Sequence, residues 1–374
     1  MQQHASRRDF LRASAATAAL ALPIWAGGPS AQAATTAGKP GVPGSYTGPD
    51  GVRRSLAYLG VHDPGDVAGC SDPAVLEQVI GRRFAINHHF RSPPESDWAP
   101  LRDAMRKDRA AGRIPMLSYA AGKAAGYPDT ETGARQAAYA RLLEITNGRR
   151  DAQIDGQAAA LAALGGPAFL RFTWEFDIRY FGTAGATAFL AAWRYVHHRF
   201  QRAGATNVAF VWSPTWRAFA DSTARHFYPG DRFVDWIAAD GYSRCTSYPS
   251  FSALFTAANV FAVQHGKPFM VAETGVHRLG RQDDALIGPT AQSSWLDELR
   301  TTLAINRFAN LKALLYFHVD GDNSPQPNHW RVTTPQDGPA ARSFKALAWN
   351  PRLKARPPAN TSAARSTSVI WRAV

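Results

Sequence analysis

The sequence predicts a single (β/α)8 barrel. Three observations carry that expectation. Eight short apolar runs alternate with longer amphipathic stretches, several helical stretches stop at a glycine just before the next apolar run, and no change of composition divides the region 55–352. Repeated strand–helix alternation favours a closed parallel barrel over a doubly wound sheet. The chain has 374 residues, 45% of them apolar and only 19% charged, enough to bury a core of this size and unlike a disordered polymer.

The N-terminus reads as an address. Ser6-Arg-Arg-Asp-Phe-Leu-Arg12 is a twin-arginine pattern, an Ala/Leu-rich stretch follows from Ala13 to Ala26, and Ala31-Gln32-Ala33 is a small-x-small cleavage site. Residues 1–33 are therefore expected to be a twin-arginine signal peptide, with a secreted or periplasmic destination. The apolar stretch is too short for a comfortable span, so no membrane insertion is expected. Residues 34–54, rich in Gly, Pro, Thr and Ser, read as a flexible linker.

The candidate strands are Leu56–His62, Phe84–Phe90, Ile114–Tyr119, Phe169–Phe176, Val208–Trp212, Trp236–Tyr242, Phe269–Glu273 and Ala313–His318, rich in the β-branched and aromatic residues that strands prefer. Trp98, Leu101 and Met105 form a helical stripe after the second strand. Phe189, Trp193, Val196 and Phe200 do so after the fourth, and Trp295, Leu299 and Leu303 before the eighth. Gly112, Gly204 and Gly266 suit left-handed helix caps. Residues 120–165 form one long third crossover. Residues 353–374, with Pro357-Pro358 and scattered Ser, Thr and Arg, read as a mobile basic tail.

The formal charge is +13. Lys and Arg are scattered and no nucleic-acid motif is present, so the charge describes a basic exported protein rather than a nucleic-acid binder. Cys70 and Cys245 both fall in loops; one pair permits a disulfide in an oxidising compartment but does not make a framework.

Functional residues of such a barrel sit at the C-terminal ends of its strands. Those ends carry His62, His88-His89, Tyr119, Trp174-Glu175, Trp212, Asp240 with Tyr242, Glu273 and Phe317-His318. Period-two alternation in strand four groups Arg171, Thr173 and Glu175 on the inward face and Leu170, Phe172, Trp174 and Phe176 towards the helices. In strand seven it groups Phe269, Val271 and Glu273. Two carboxyls ending strands that face each other across a small barrel suit glycosidic cleavage, which needs one acid and one carboxylate flanking the bond. A pair of structural ion-paired glutamates is the other reading. Adjacent histidines diverge on a strand or a helix, and no His-Glu-x-x-His pattern occurs, so no metal site is expected. No phosphate-binding glycine motif occurs either, and no cofactor is expected.

Leu170-Arg-Phe-Thr-Trp-Glu-Phe-Asp177, Trp193-Arg-Tyr-Val-His-His-Arg-Phe200, Val208-Ala-Phe-Val-Trp-Ser-Pro214, Tyr228-Pro-Gly-Asp231, Val234-Asp-Trp-Ile-Ala-Ala-Asp-Gly-Tyr242 and Lys267-Pro-Phe-Met-Val-Ala-Glu-Thr-Gly275, taken in order, resemble glycoside hydrolase family 26, the β-mannanase-like family of the retaining barrel glycosidases. The resemblance covers roughly residues 55 to 350. It implies Glu175 as acid/base, Glu273 as nucleophile and a hydrogen bond from Tyr242 to that nucleophile. Typical mannanases of the family carry His before the acid/base; Trp174 stands there in this chain, which leaves mannan specificity open beside mixed-linkage β-glucan and β-1,3-xylan. The expected substrate contacts are Trp174, Trp212, Tyr242, Asp240, His62, His88 and Trp330, since sugars stack on aromatic rings and hydrogen-bond to polar rims. Trp193 and Trp295, on helical stripes, belong to the core.

The expectation is an exported, monomeric, retaining endo-β-glycosidase whose partner is a polysaccharide. A carbohydrate-binding protein without turnover and a basic binder of anionic polymers are the rival readings.

Overall fold

A computed structural model describes residues 38–66, 69–91, 98–119, 131–178, 182–244, 248–278, 289–320 and 329–354. The expected signal peptide, Cys245 and the residues beyond Lys354 lie outside the described residues; Cys70 is buried.

Eight parallel strands, β1 (Ala57–His62), β2 (Ile86–Arg91), β3 (Ile114–Tyr119), β4 (Ala168–Phe172), β5 (Val208–Trp212), β6 (Trp236–Ser243), β7 (Phe269–Val276) and β8 (Leu311–Phe317), lie side by side in chain order. β8 returns to β1, pairing Ala313 with Tyr58 through Phe317 with His62, and the sheet closes. The expected (β/α)8 barrel is therefore the observed architecture. Helices α1 (Ala74–Ile80), α2 (Ala99–Ala110), α3 (Glu131–Thr146), α4 (Asp151–Ala162), α5 (Gly182–Arg202), α6 (Trp216–Ala220), α7 (Phe251–Gln264), α8 (Pro289–Ala304) and α9 (Pro339–Ala348) form the crossovers. The long third crossover resolves into α3 and α4.

Alternation sorts each strand into two layers. Tyr58, Ile86, Met116, Phe169, Val211, Trp236, Met270 and Leu315 fill the barrel interior. Their neighbours, among them Leu59, Leu117, Leu170, Phe210, Ile237 and Val271, pack against the helices. Burying such a side chain is worth about 1.5–3 kcal/mol, and the two layers together make a continuous core. Gly60 faces inward where the barrel is narrow: a Cβ there would lie 2.6 Å from Leu315 Cγ and 2.9 Å from Ile86 Cβ. The stripes of α2, α5 and α8 face the sheet as their spacing predicts, with Leu101, Met105, Trp193, Val196, Leu299 and Leu303 buried.

Both ends of the barrel region differ from expectation. The described part of the supposed linker, residues 38–54, is built onto the barrel. Lys39 pairs with Asp235 at 2.8 Å, the Tyr58 hydroxyl donates to the Gly41 carbonyl at 2.8 Å, and Ser45–Thr47 pairs antiparallel with Arg53–Ser55. At the other end Leu353 and Lys354 add to β1. Arg352, fully buried, donates to the carbonyls of Ser55, Leu303 and Phe308, so the two ends of the barrel are tied together. Gly- and Pro-rich composition signalled irregular backbone there, but irregular backbone packs when its polar groups find partners.

Candidate active site

The inward positions at the C-terminal rim are polar where those below are apolar. His62 ends β1, His88 and Ser118 lie near the ends of β2 and β3, Arg171 near the end of β4, and Asp240 and Glu273 on β6 and β7; all six are 5% exposed or less. For Glu273 alternation alone gives the wrong answer. Phe269 and Val271 face the helices, while Met270 and Ala272 fill the interior. A β-bulge corrects the phase: Ala239 pairs with Val271 but Asp240 with Glu273, so β7 carries one extra residue. The bulge turns Glu273 inward, a common use of bulges beside active sites. β7 then continues through Thr274 and Gly275 to Val276, past the expected stop.

Arg171 is the hub. Its Nε donates to Ser118 Oγ at 2.7 Å, Nη1 to Asp240 Oδ1 at 2.7 Å, and Nη2 to Glu273 Oε1. Glu273 Oε2 accepts from the Tyr242 hydroxyl at 2.5 Å, the contact the family resemblance implies. Both carboxyl oxygens of Glu273 are thus held. Burial works against the Arg171 charge, but Asp240, Glu273 and Glu175 outweigh it and hold its pKa above the ordinary value. Asp240 also accepts from Ser213 Oγ at 3.2 Å. Burial pushes its carboxyl well above the usual range; Arg171 opposes that, and the charges of Glu273 and Glu175 add to it. Asp240 is therefore tied to Arg171 and Ser213 under the rim.

Glu175 arrives differently from the expected strand. β4 ends at Phe172, and Thr173 and Glu175 both adopt left-handed backbone, with φ of 47° and 50°. Such angles are costly for a β-branched residue. They are held by ladder-like bonds, Thr173 N–H to Tyr119 O at 2.7 Å and Glu175 N–H to Ser213 O at 2.9 Å. Asp177 anchors the exit, accepting from Thr215 N–H at 2.8 Å and Thr215 Oγ1 at 2.5 Å. Burial raises the Asp177 pKa, and those two bonds offset part of the rise.

The turn also redirects Trp174. Instead of facing the helices, its ring lies 5.4 Å from the Arg171 guanidinium and 5.4 Å from the Phe90 ring. Trp174 is half-buried at the mouth. Phe90 continues an aromatic wall to His62 at 4.7 Å, and His62 stacks on Phe317 at 5.1 Å.

The other expected contacts divide. His88 is buried, and its Nε2 pairs with Ser118 Oγ at 2.6 Å; burial, then the Arg171 charge, hold its pKa well below the usual histidine value. His62 Nδ1 bonds to the His88 carbonyl at 2.7 Å, and burial brings its pKa down to about 4. His89 points the opposite way, to Asp108 of α2 at 2.7 Å, so the two histidines diverge. Trp330 is 4% exposed and backs Tyr242, with ring centroids 4.7 Å apart, rather than presenting an open face. Trp212 is fully buried in the helix layer, its Nε1 donating to the Phe227 carbonyl at 2.9 Å, and it does not reach the mouth. Position 212 has the outward parity of Phe210. Phe90, Ser118, Ser213 and Asp177 were not foreseen. Parity finds Ser118, two residues after the interior Met116, Phe90, two after the inward His88, and Ser213, two after the interior Val211; Asp177 depends on the turn after β4.

Residues 152–287 match the profile of glycosyl hydrolase family 26. Over that span the chain resembles the family. The matched span contains Arg171, Glu175, Asp240, Tyr242 and Glu273, the charged groups around the guanidinium and the tyrosine on Glu273, while Ser118 lies before it. Over 284 residues the chain is 24% identical to Endoglucanase H of Acetivibrio thermocellus, an alignment covering 71% of this chain and 28% of that protein. Over 209 residues it is 24% identical to Beta-1,3-xylanase TXYA of a Vibrio species, covering 52% of this chain and 43% of that one. The chain thus spans less than half the length of these two relatives. A family 26 β-mannanase from Bacteroides ovatus shares the fold, with a TM-score of 0.57 at 18% identity over 80% of this chain and 90% of that chain.

Proposed function

We propose that this protein is an exported, retaining endo-β-glycosidase of family 26 that hydrolyses a β-linked polysaccharide: β-mannan, mixed-linkage β-glucan or β-1,3-xylan. The observation that carries the reading is Glu273, gripped on one carboxyl oxygen by Arg171 and on the other by Tyr242, with Glu175 acting on the same guanidinium. A carboxylate so held is oriented for attack on the anomeric carbon. In the first step a Glu273 oxygen bonds to that carbon while the glycosidic C–O bond breaks, and Glu175 gives its proton to the departing oxygen. In the second step Glu175 takes a proton from water, whose oxygen displaces Glu273, and the anomeric configuration is retained overall. Preorganised donors around the nucleophile cost no rearrangement during reaction, which is how such sites lower barriers.

The three candidate polymers are supported by the resemblance, and the relatives' names include a glucanase, a xylanase and a mannanase. The aromatic wall of Trp174, Phe90 and Phe317 supports stacking of a sugar at the mouth. The twin-arginine leader supports export. The test is reducing-sugar release from glucomannan, galactomannan, mixed-linkage β-glucan and β-1,3-xylan by wild type, Glu175→Ala and Glu273→Ala, with the anomer of the first product followed by NMR. Turnover of one polymer with retention, lost in both variants, is the expected result. Binding without turnover by the folded protein would overturn it in favour of a carbohydrate-binding role, and most of the activity surviving in Glu273→Ala would overturn the nucleophile assignment.

A further inference from the structure

Trp349, just past α9, is 56% exposed, and it is the one exposed tryptophan among the described residues. Leaving an indole in water forgoes burial free energy, and this ring is also held in one orientation. Its Nε1–H donates to the Ile80 carbonyl at the end of α1, at 2.9 Å. The Arg82 guanidinium carbon lies 5.2 Å from the ring centroid. Arg82 is itself anchored by N–H bonds to the carbonyls of Ala348 and Leu353, the latter at 2.7 Å. The ring is therefore fixed along one edge and backed on one face by a planar cation. Beside it, Gly81 is exposed and a Cβ at that position would meet nothing within 4 Å. Arg83 and Lys345 are exposed nearby in the chain. Helices α1 and α9 descend from the catalytic rim, so their C-terminal ends place this ring on the opposite end of the barrel.

We propose that Trp349, backed by Arg82, is a second carbohydrate-binding platform that holds a β-linked polysaccharide away from the catalytic mouth. The inference rests on the polysaccharide reading above. Pyranose rings in β-linked chains present flat C–H faces, which stack on an indole, and rim hydroxyls, which accept from guanidinium and ammonium groups. An open, rigid ring loses little conformational entropy on binding. It suits weak retention on a long polymer rather than capture of a small molecule.

The test uses the full chain carrying Glu273→Ala, so that polymer is not consumed, in native affinity electrophoresis through gels containing glucomannan, mixed-linkage β-glucan or β-1,3-xylan. Adding Trp349→Ala is expected to weaken retardation by about three- to tenfold in apparent Kd, while Trp349→Phe, which keeps a flat ring, retains most of it. With Glu273 restored, Trp349→Ala should leave kcat/KM on a soluble hexasaccharide unchanged and lower the rate on insoluble polymer. Thermal melts of both Trp349 variants confirm that they fold. Equal retardation of the Ala and Phe variants overturns the platform. So does retardation that about 0.5 M salt abolishes whatever residue stands at 349, which would assign retention to net charge. Electrophoresis reads binding alone, so an enzyme inactive on every polymer would refute the catalytic reading without deciding this one.

Discussion

Replacing Arg171 by Met keeps an unbranched stem and removes the charge at the centre of the site. Arg171 is fully buried, and so, within 1% and 2% exposure, are Asp240 and Glu273. The substitution strands two carboxyl groups that no longer share a guanidinium, and leaves Ser118 without the Nε donor. Removing one partner of a buried ion pair costs about 3–5 kcal/mol. At about 2 °C per kcal/mol for a domain of this size, the melting temperature should fall by about 6–10 °C. The structure also says where the cost sits. Asp240→Asn in the Arg171→Met background replaces one stranded carboxyl by a neutral amide, so the double variant should recover about 1–3 kcal/mol relative to additivity. Calorimetry and urea titration of wild type, both single variants and the double variant give the cycle directly. A single-variant loss under about 1 kcal/mol, or strict additivity of the two changes, would refute the view that Arg171 compensates buried carboxyl groups.

Three further outcomes follow from the same geometry. Tyr242→Phe deletes the 2.5 Å bond to Glu273; a hydrogen bond to a charged group is worth about 1.5–3 kcal/mol, so the melting temperature should fall by about 3–6 °C, and a loss of the same size from the transition state lowers kcat/KM by about 10- to 150-fold in steady-state kinetics. Trp212→Ala should cost about 3–5 kcal/mol of stability with KM unchanged, whereas Trp174→Ala, at the half-buried mouth, should alter KM and leave the melt nearly intact. Acid lability should set in early: His62 is brought from 6.5 to about 4 by burial, and His88 and His318 are lowered by the same cause. Because the unfolded chain takes up those protons first, stability is fully present above about pH 6.5 and lost as pH falls towards about 4, with His62 alone worth about 3 kcal/mol. Melts across that range should fall steeply, and His62→Asn should flatten the slope.

The barrel was legible because its signals are local. Leu101 and Met105 repeat at helical spacing, Ile114–Tyr119 is an apolar run of strand length, and Gly112, Gly204 and Gly266 take the left-handed φ that caps require. Each signal is a property of a few consecutive residues, and a closed parallel sheet is the arrangement that satisfies eight of them in series. The rim could then be read as well, since parallel strands bring their C-terminal ends together: Asp240, Tyr242 and Glu273 meet at one site, and Arg171 lies inside as parity requires. Parity failed where the backbone departs from a regular strand. A bulge in β7 brings Glu273 into the interior against the phase of Phe269 and Val271, and left-handed Thr173 and Glu175 turn Trp174 towards Arg171 rather than towards the helices. Trp212 has the outward phase of Phe210, so parity assigns it to the helix layer and not to the mouth. The sequence by itself therefore determined the barrel, its layers and the strand ends that carry chemistry, because periodicity is counted along the chain. Which side chains converge on Arg171, and which aromatic rings line the mouth rather than pack on the helices, only the tertiary structure decided, because a bulge or a strained turn is held by hydrogen bonds to neighbouring strands that are distant in sequence.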